Sequence, residues 1–539
     1  MTRPVNPWAA LSALCLGFFM ILLDTTIVMI AIPAMLRGLG AGLNAVVWVS
    51  SVYLLTYAVP MLFTSRLGDR FGPKRVFVAG LVVFTAASLW CGLSGNVEML
   101  IAARAVQGLG AALMTPQTLA FIGHLFPPAK RGGAMGVWGA VAGVASIMGP
   151  LLGGVLVDHL GWEWIFYVNV PIGVVTLVMT LLLVPDWQPK HAHSFDLLGI
   201  FLSAAGLFCI VFGIQNGQQY HWGTIAGGIT VFEMIGAGVV LLVAFVLWQR
   251  HNRKEPLIPL RVFGNRNFSA GAATGTALQF GLVGMFVPIT IYIQSVAGLS
   301  PTMAGLLTAP MSLLSGVAAP LAGRLSDRMS AKYLMMGGLT AMAAGLGVLA
   351  WQAQPDTNPW ALVPGLCVTG LGMGFIFAPM SNATMSGVER QLAGAASGIY
   401  NTARQVGGVL GSAAMGVLLQ AQIAGALSSE AEKASSALPP EFRQQFVEGF
   451  AGASANEFGA STAPALPPGV PAEVAARIGS VANEVVHNGL TDAAKSSLLL
   501  PIGVLLLGVV AAATMKRGTA SGHAPQQAPT PTTEPATVS

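Results

Sequence analysis

The chain has 539 residues, 54% of them hydrophobic and only 9% charged, with a formal net charge of +5. Soluble domains carry about 25% charged residues, so a soluble globular protein is excluded: its surface could not be covered. In so apolar a chain the basic excess reports topology and gives no sign of nucleic-acid binding.

Apolar runs of about 20 residues predict fourteen spans. Six centre near Leu22, Leu55, Phe84, Leu113, Ala145 and Val175, two near Gly206 and Val240, and six near Leu282, Leu313, Ala343, Gly370, Gly407 and Leu505. The opening segment "MTRPVNPWAALSALCLGFFMILLD" is too long in its apolar part for a signal peptide and reads as a retained first helix. The expected divisions are 1–186, a first group of six spans; 187–266, an inserted pair with its loop; 267–515, a second group of six with a large outer loop over 421–494; and 516–539, a disordered tail. Within the loop, "PPEFRQQFVEGF" and "PAEVAARIGSVANEVV" have helical spacing.

Lysine and arginine placement tests this count, because cytoplasmic loops carry their excess. With both ends inside, 19 of the 26 basic residues fall on the inner side and 5 on the outer, leaving Arg104 and Arg404 within spans. A multi-pass protein of the cytoplasmic membrane with both termini in the cytoplasm is expected. The four cysteines, Cys15, Cys91, Cys209 and Cys367, lie in apolar runs without CxxC spacing, so neither a disulfide framework nor a zinc site is expected. No HExxH, nucleophile triad or GK[ST] phosphate loop occurs, which argues against an enzyme, a cofactor or a nucleotide-driven pump.

Two passages occur twice. "SRLGDRFGPKR" (65–75) is echoed by "GRLSDRMSAKY" (323–333), and "VQGLGAALMTP" (106–116) by "VTGLGMGFIFAP" (368–379), with offsets of 258 to 263 residues. Two homologous six-helix groups flanking an inserted pair follow, an arrangement typical of transporters with a midplane site between repeats.

With these repeats, "LDTTIVMIAIP", "RLGDRFGPKR", "RAVQGLGAA", "GPLLGG", "GWEWIFYVNVPIG", "PLIPLRVFGNRNF" and "LAGAASGIYNTARQVGG" make the chain resemble the fourteen-helix drug:proton antiporter branch of the major facilitator superfamily over nearly its whole length. The resemblance implies an all-α integral membrane fold and proton-coupled export of small lipophilic compounds by alternating access. Partners are then a small-molecule substrate, protons and the lipid bilayer, with no nucleic acid, and a monomer is expected. A dedicated exporter of one metabolite or self-made antibiotic is the alternative; a membrane enzyme or channel is the reading from another class. The chain departs from the family pattern at Ser65, Pro73, Ala145 and Ile147.

Asp24 is the one acid well inside an apolar span; Glu233 lies near an outer helix end. An intramembrane charge is costly and marks a functional site. Counted at 1.5 Å per residue, Arg104 lies at about the depth of Asp24, on a span that the resemblance makes its neighbour. Burial favours a neutral carboxyl and a cation favours the carboxylate, so the pair has the makings of a proton switch. Asp69, Arg70 and Gly72, with Asp327 and Arg328, form candidate inner-gate latches. Position in a loop accounts for the basic residues but not for the acids, which contribute little to orientation. Gly149, Pro150, Gly153 and Gly154 permit close helix approach and a bend, and the resemblance implies a seal against proton leak. Candidate cavity-lining groups are Tyr53, Tyr57, Trp138, Gln279, Phe280, Asn382, Asn401 and Arg404.

Overall fold

The computed structural model describes residues 6–188, 196–226, 228–252, 256–326, 328–389, 392–451 and 472–516. The calls on Asp327 and on the tail beyond 516 lie outside them. Among the described residues thirteen helices are long and apolar enough to cross a membrane, and a bent pair makes fourteen.

In chain order they are α1 (Pro7–Leu39), α2 (Leu43–Ala58) with α3 (Met61–Phe71), α4 (Pro73–Gly92), α5 (Val97–Leu125), α6 (Pro128–Leu160), and α7 (Trp164–Tyr167) with α8 (Asn169–Leu183). Then come α9 (Leu197–Asn216) and α10 (Val231–His251), joined by a small hairpin of β1 (Thr224–Ala226) and β2 (Ile229–Thr230), followed by α11 (Arg266–Ile291), α12 (Pro301–Ser326), α13 (Ala331–Gln352), α14 (Val363–Met385) and α15 (Ala393–Ser435). After α16 (Pro440–Ala451), α17 (Ala472–Ser497) runs into α18 (Leu499–Ala513) as the last span.

Local chemistry sets the ends. Asn6 caps α1, accepting from Trp8 N at 3.0 Å, with Pro7 in the first turn and Gly40 closing the helix at φ 58°. Asn96 caps α5 through Met99 N at 2.8 Å. At Pro60 the second span breaks, and its two parts meet at 50°. An even number of spans puts the first and last described residues on one face, here the terminal face, where Lys516 N donates to Asn267 Oδ1 at 2.8 Å beside the start of α11. The opposite face is the distal face.

The repeated passages do equivalent packing jobs. A Cβ on Gly108 would meet Tyr53 O of α2 at 2.5 Å, and one on Gly110 would meet Phe84 N of α4 at 2.6 Å. In the echo, Gly370 abuts Met311 of α12 and Gly372 abuts Gly338 and Met342 of α13. Each Gly-Leu-Gly thus lets one helix approach two neighbours at backbone distance.

The inserted pair is held at both faces. Asp196 caps α9 and accepts from Gly199 N (2.9 Å), Trp248 Nε1 (2.8 Å) and Gln249 Nε2 (2.7 Å). Burial works to raise its carboxyl, but these donors prevail and hold it below the usual range. At the distal face Asn44 of α2 donates to Asn216 Oδ1 (2.8 Å) and Gln219 Oε1 (2.6 Å).

The expected outer loop over 421–494 is largely helical. α15 continues to Ser435, α17 starts at Ala472, and they pack together beyond the spans with α16. Leu427, Ala431, Phe446, Phe450, Ile478 and Val485 fill that contact. The two helically spaced segments are α16 and α17; the sequence missed that the flanking spans run on without a break.

The repeated basic clause has a job that topology did not reveal. Lys74 Nζ donates to Leu181 O (3.0 Å) and Val184 O (2.6 Å) at the end of α8. Lys332, its counterpart 258 residues on, donates to Ala513 O and Met515 O at the end of α18. Each lysine begins the third span of its group and satisfies orphan carbonyls ending the sixth, where a cation also meets the negative helix end. Lys74→Met and Lys332→Met should each lower stability by about 1 kcal/mol, and the effects should add because they share no partner. Thermal unfolding in detergent checks this. Arg75→Met is the control: its 4.0 Å pair with Asp186 is exposed and should contribute almost nothing.

Candidate functional site: a buried carboxylate network and a glycine seam

Asp24 sits midway along α1 and is fully buried, as is Arg104 on α5. Arg104 Nη1 donates to Asp24 Oδ2 as a close ion pair. Asp24 Oδ1 accepts from Gln107 Nε2 (2.8 Å) and from Asn169 Nδ2 at the head of α8 (3.0 Å). Arg104 also donates through Nη1 to Gln107 Oε1 (2.8 Å) and through Nε to Val49 O of α2 (3.2 Å), and its guanidinium lies 4.0 Å from the centre of the Tyr53 ring. Asn169 Nδ2 reaches on to Ser88 Oγ of α4 at 3.0 Å. Two buried charges out of water cost several kcal/mol each unless geometry and further hydrogen bonds compensate. Here three donors hold the carboxylate, a backbone carbonyl and an aromatic face hold the cation, and five helices meet on the pair.

The expected pairing of Asp24 with Arg104 is present. Gln107, Asn169 and Ser88 were missed, though two carried a signal. Gln107 stands three residues after Arg104, hence on the same helix face, and Asn169 is a lone amide in the apolar run after "GWEWIFYV".

The structure divides the expected cavity-lining set between packed positions and positions between the two groups. Tyr53 is fully buried beneath Arg104, inside the first six spans; Tyr57 is buried with its hydroxyl 2.9 Å from Thr115 Oγ1, on the side of α2 that meets α15, with Gln405 and Arg404 close by. Trp138 stacks on Phe18 at 4.4 Å. Gln279 and Arg404 do come together: Arg404 Nη2 donates to Gln279 Oε1 at 3.3 Å, with the Phe377 ring 5.5 Å from the guanidinium. Phe280 is half-buried beside them, its carbonyl facing Gly411. Asn401 donates to Ser397 O within its own helix (2.9 Å), and Asn382 is exposed near the end of α14; neither joins the others.

Of the latch residues, Asp69 is half-buried and Arg70 exposed on the last turn of α3, while Arg328 is exposed. Gly72 joins α3 to α4 at φ 93°, where a side chain is strained, and a Cβ would also meet Trp187 O at 3.3 Å.

The Gly-Pro-Leu-Leu-Gly-Gly run lies on α6 between α1 and α12. Gly149 abuts Thr26 of α1, and a Cβ on Gly153 would meet Ile27 and Ile30 at 2.7 Å. Gly154 abuts Pro301 and Thr302 of α12, and Gly305 of α12 abuts Pro150, so the two spans exchange small residues across the seam. Further bonds join the two groups toward the distal face. Thr302 N donates to Asp158 Oδ2 (2.7 Å), Gln294 Nε2 to Ile30 O (2.9 Å), and Ser51 and Ser412 meet at 2.8 Å.

A two-group bundle with buried charges and a small-residue seam between the groups is an architecture that membrane transporters use. The sequence model of the Major Facilitator Superfamily matches residues 14–412, and the chain belongs to that family. An uncharacterized MFS-type transporter of Mycobacterium tuberculosis is 48% identical over 419 residues, 78% of this chain and 71% of that one. The tetracenomycin C resistance and export protein of Streptomyces glaucescens is 32% identical over 531 residues, 98% and 95% of the two chains. Among solved structures, a bacterial homolog of the human lysosomal transporter Spinster, inward-facing and unoccupied, matches with a TM-score of 0.60 over 96% of this chain and 98% of that one; at 16% identity the likeness is one of fold.

Two outcomes test this geometry. Arg104→Met leaves a buried carboxylate without its cation and should cost about 3–5 kcal/mol, seen as lost folded yield; Asp24→Asn in the same chain should restore much of it. Gly154→Leu places a side chain against the backbone of α12 and should hold the distal seam apart, read as a longer distance between spin labels on exposed Val155 and Met303.

Proposed function

We propose that the protein is a proton-coupled antiporter that exports small lipophilic drugs or antibiotics across the cytoplasmic membrane by alternating access, with both termini in the cytoplasm. The observation that carries the reading is the fully buried Asp24, on the first span, tied to Arg104 inside a network that water does not reach in this state. A carboxylate there can exchange a proton only when the network opens, which is the condition for coupling protonation to a conformational change. The bias of 19 basic residues against 5 supports a cytoplasmic terminal face. The name of the Streptomyces relative, a resistance and export protein, supports the direction and class of transport. In this reading the α6 seam closes the distal side, and Asp69, Arg70 and Gly72 with Asp327 and Arg328 latch the cytoplasmic side in the opposite state.

The same name also favours a second reading, export of a single metabolite. A compound panel separates the two: broad resistance on expression supports the first, and resistance to one compound the second.

Asp24→Asn should abolish pH-gradient-driven export in vesicles while the protein still inserts; undiminished export by that variant would remove the coupling role. Substrate charge gives a second test. Glu233 is exposed, locked in a capping box with Thr230 at the distal start of α10, and Asp196 caps α9 at a span end, so among the described residues Asp24 is the one carboxylate inside a span to compensate a cation. Moving one charge through the membrane potential is worth about 2.3 kcal/mol per 100 mV. Neutral and monovalent compounds should therefore be exported better than a divalent form of the same lipophilic cation under a fixed pH gradient. Efficient export of the divalent form would require a second carboxylate.

A further inference from the structure

We propose that Asn169 is the positioning residue that reads the protonation state of Asp24, by turning its side-chain amide over. The inference rests on Asp24 being the coupling carboxylate and assigns the group that responds to it.

Two amides share Asp24 Oδ1, and they are not equivalent. Gln107 donates with Nε2, while its Oε1 already accepts from Arg104 Nη1 at 2.8 Å and lies 3.5 Å from Cys91 Sγ. Both ends of that amide are committed, and turning it would set its NH2 against the guanidinium. Asn169 donates with Nδ2 to Asp24 and Ser88, but among the described residues its Oδ1 is buried without a hydrogen-bond partner. A buried, unpaired carbonyl costs free energy and needs an explanation in a network otherwise so fully satisfied.

The explanation is a second state. When a proton joins Asp24 Oδ1, that oxygen becomes a donor, and the amide groups now facing it are donors as well. One amide has to turn. Gln107 is held by Arg104, so Asn169 turns: the N–H bonds to Asp24 and Ser88 break, and an O–H bond from Asp24 to Asn169 Oδ1 forms. The carbonyl that is unpaired beside the carboxylate is the acceptor that the neutral acid needs. On deprotonation the amide turns back.

Its place in the chain gives the turn a consequence. Asn169 is the first residue of α8, just past the joint with α7. Ser88, which it holds, donates to Phe166 O of α7 at 2.9 Å. The turn therefore changes what binds α4 to the α7–α8 joint. The titratable and charged groups around the site are Asp24 on α1, Tyr53 and Tyr57 on α2, Cys91 on α4 and Arg104 on α5. Tyr167 on α7 directs its hydroxyl to Gly92 O at 2.7 Å.

The test is the pH profile of export in vesicles. Asn169→Leu keeps the bulk and removes both bonding modes. A hydrogen bond to a charged group is stronger than one to a neutral group, so the ionised state loses more. The pH midpoint of export should move up by about one unit. A residue that only packs the helix would lower the rate at all pH values without moving the midpoint. Infrared difference spectra between acid and alkaline forms of the wild type with isotope-labelled asparagine supply a readout that needs no variant to fold. An amide carbonyl band should shift with pH, and it should be absent from Asn169→Leu and static in Asp24→Asn. An unmoved midpoint in Asn169→Leu, or no pH-dependent asparagine band in the wild type, overturns the assignment of Asn169. Coupled export by Asp24→Asn overturns instead the reading on which it rests.

Discussion

The interaction on which the rest of the structure depends is the ion pair of Asp24 and Arg104, fully buried inside the first six spans. Neither charge is tolerable alone at that depth. Their mutual attraction is not sufficient either, which is why the surrounding helices each bring a polar group to the same point. Val49 O comes from α2, Gln107 from α5 and Asn169 from α8, with Ser88 of α4 behind it. The helices around the pair are positioned by what it demands as well as by apolar packing. In lipid, apolar surfaces between helices gain little from leaving the surrounding chains, so a polar point of convergence specifies which helices meet.

The sequence made much of this legible, for identifiable reasons. Span number and order follow from apolar length, which the bilayer fixes, and all fourteen expected centres fall in the helices found. Asp24 and Arg104 stood out because charges in apolar runs are rare. The Gly-Leu-Gly echo was visible as a repeat, but its use at backbone contacts required knowing which helices are neighbours. The lysines of the basic clause read as topology because their partners, the carbonyls ending α8 and α18, are backbone atoms with no sequence signature. An aromatic residue on a span can face lipid, cavity or core, and the sequence does not distinguish Tyr53, buried under Arg104, from Tyr57, which lies between Thr115 and α15. Only the rotation of α2, set by Thr115 and Arg104 on α5, decides among these.

α1 is the element that both sites share. Asp24 faces the charge network, Thr26 stands two residues on against Gly149, and its hydroxyl lies 3.5 Å from Ala145 O of α6. Ile27 and Ile30 fill the space opposite Gly153, and Ile30 O takes the bond from Gln294 of the last six spans. Within seven residues one helix therefore holds the buried carboxylate, the small-residue seam and the distal clasp. Protein interiors are close-packed and shift between discrete arrangements more readily than they deform. In the reading proposed above, a change in the bonds made by Asp24 thus has two routes out of the site: through Asn169 and Ser88 to α4 and the α7–α8 joint, and along less than two turns of α1 to the contacts of Thr26 and Ile27 with the glycines of α6.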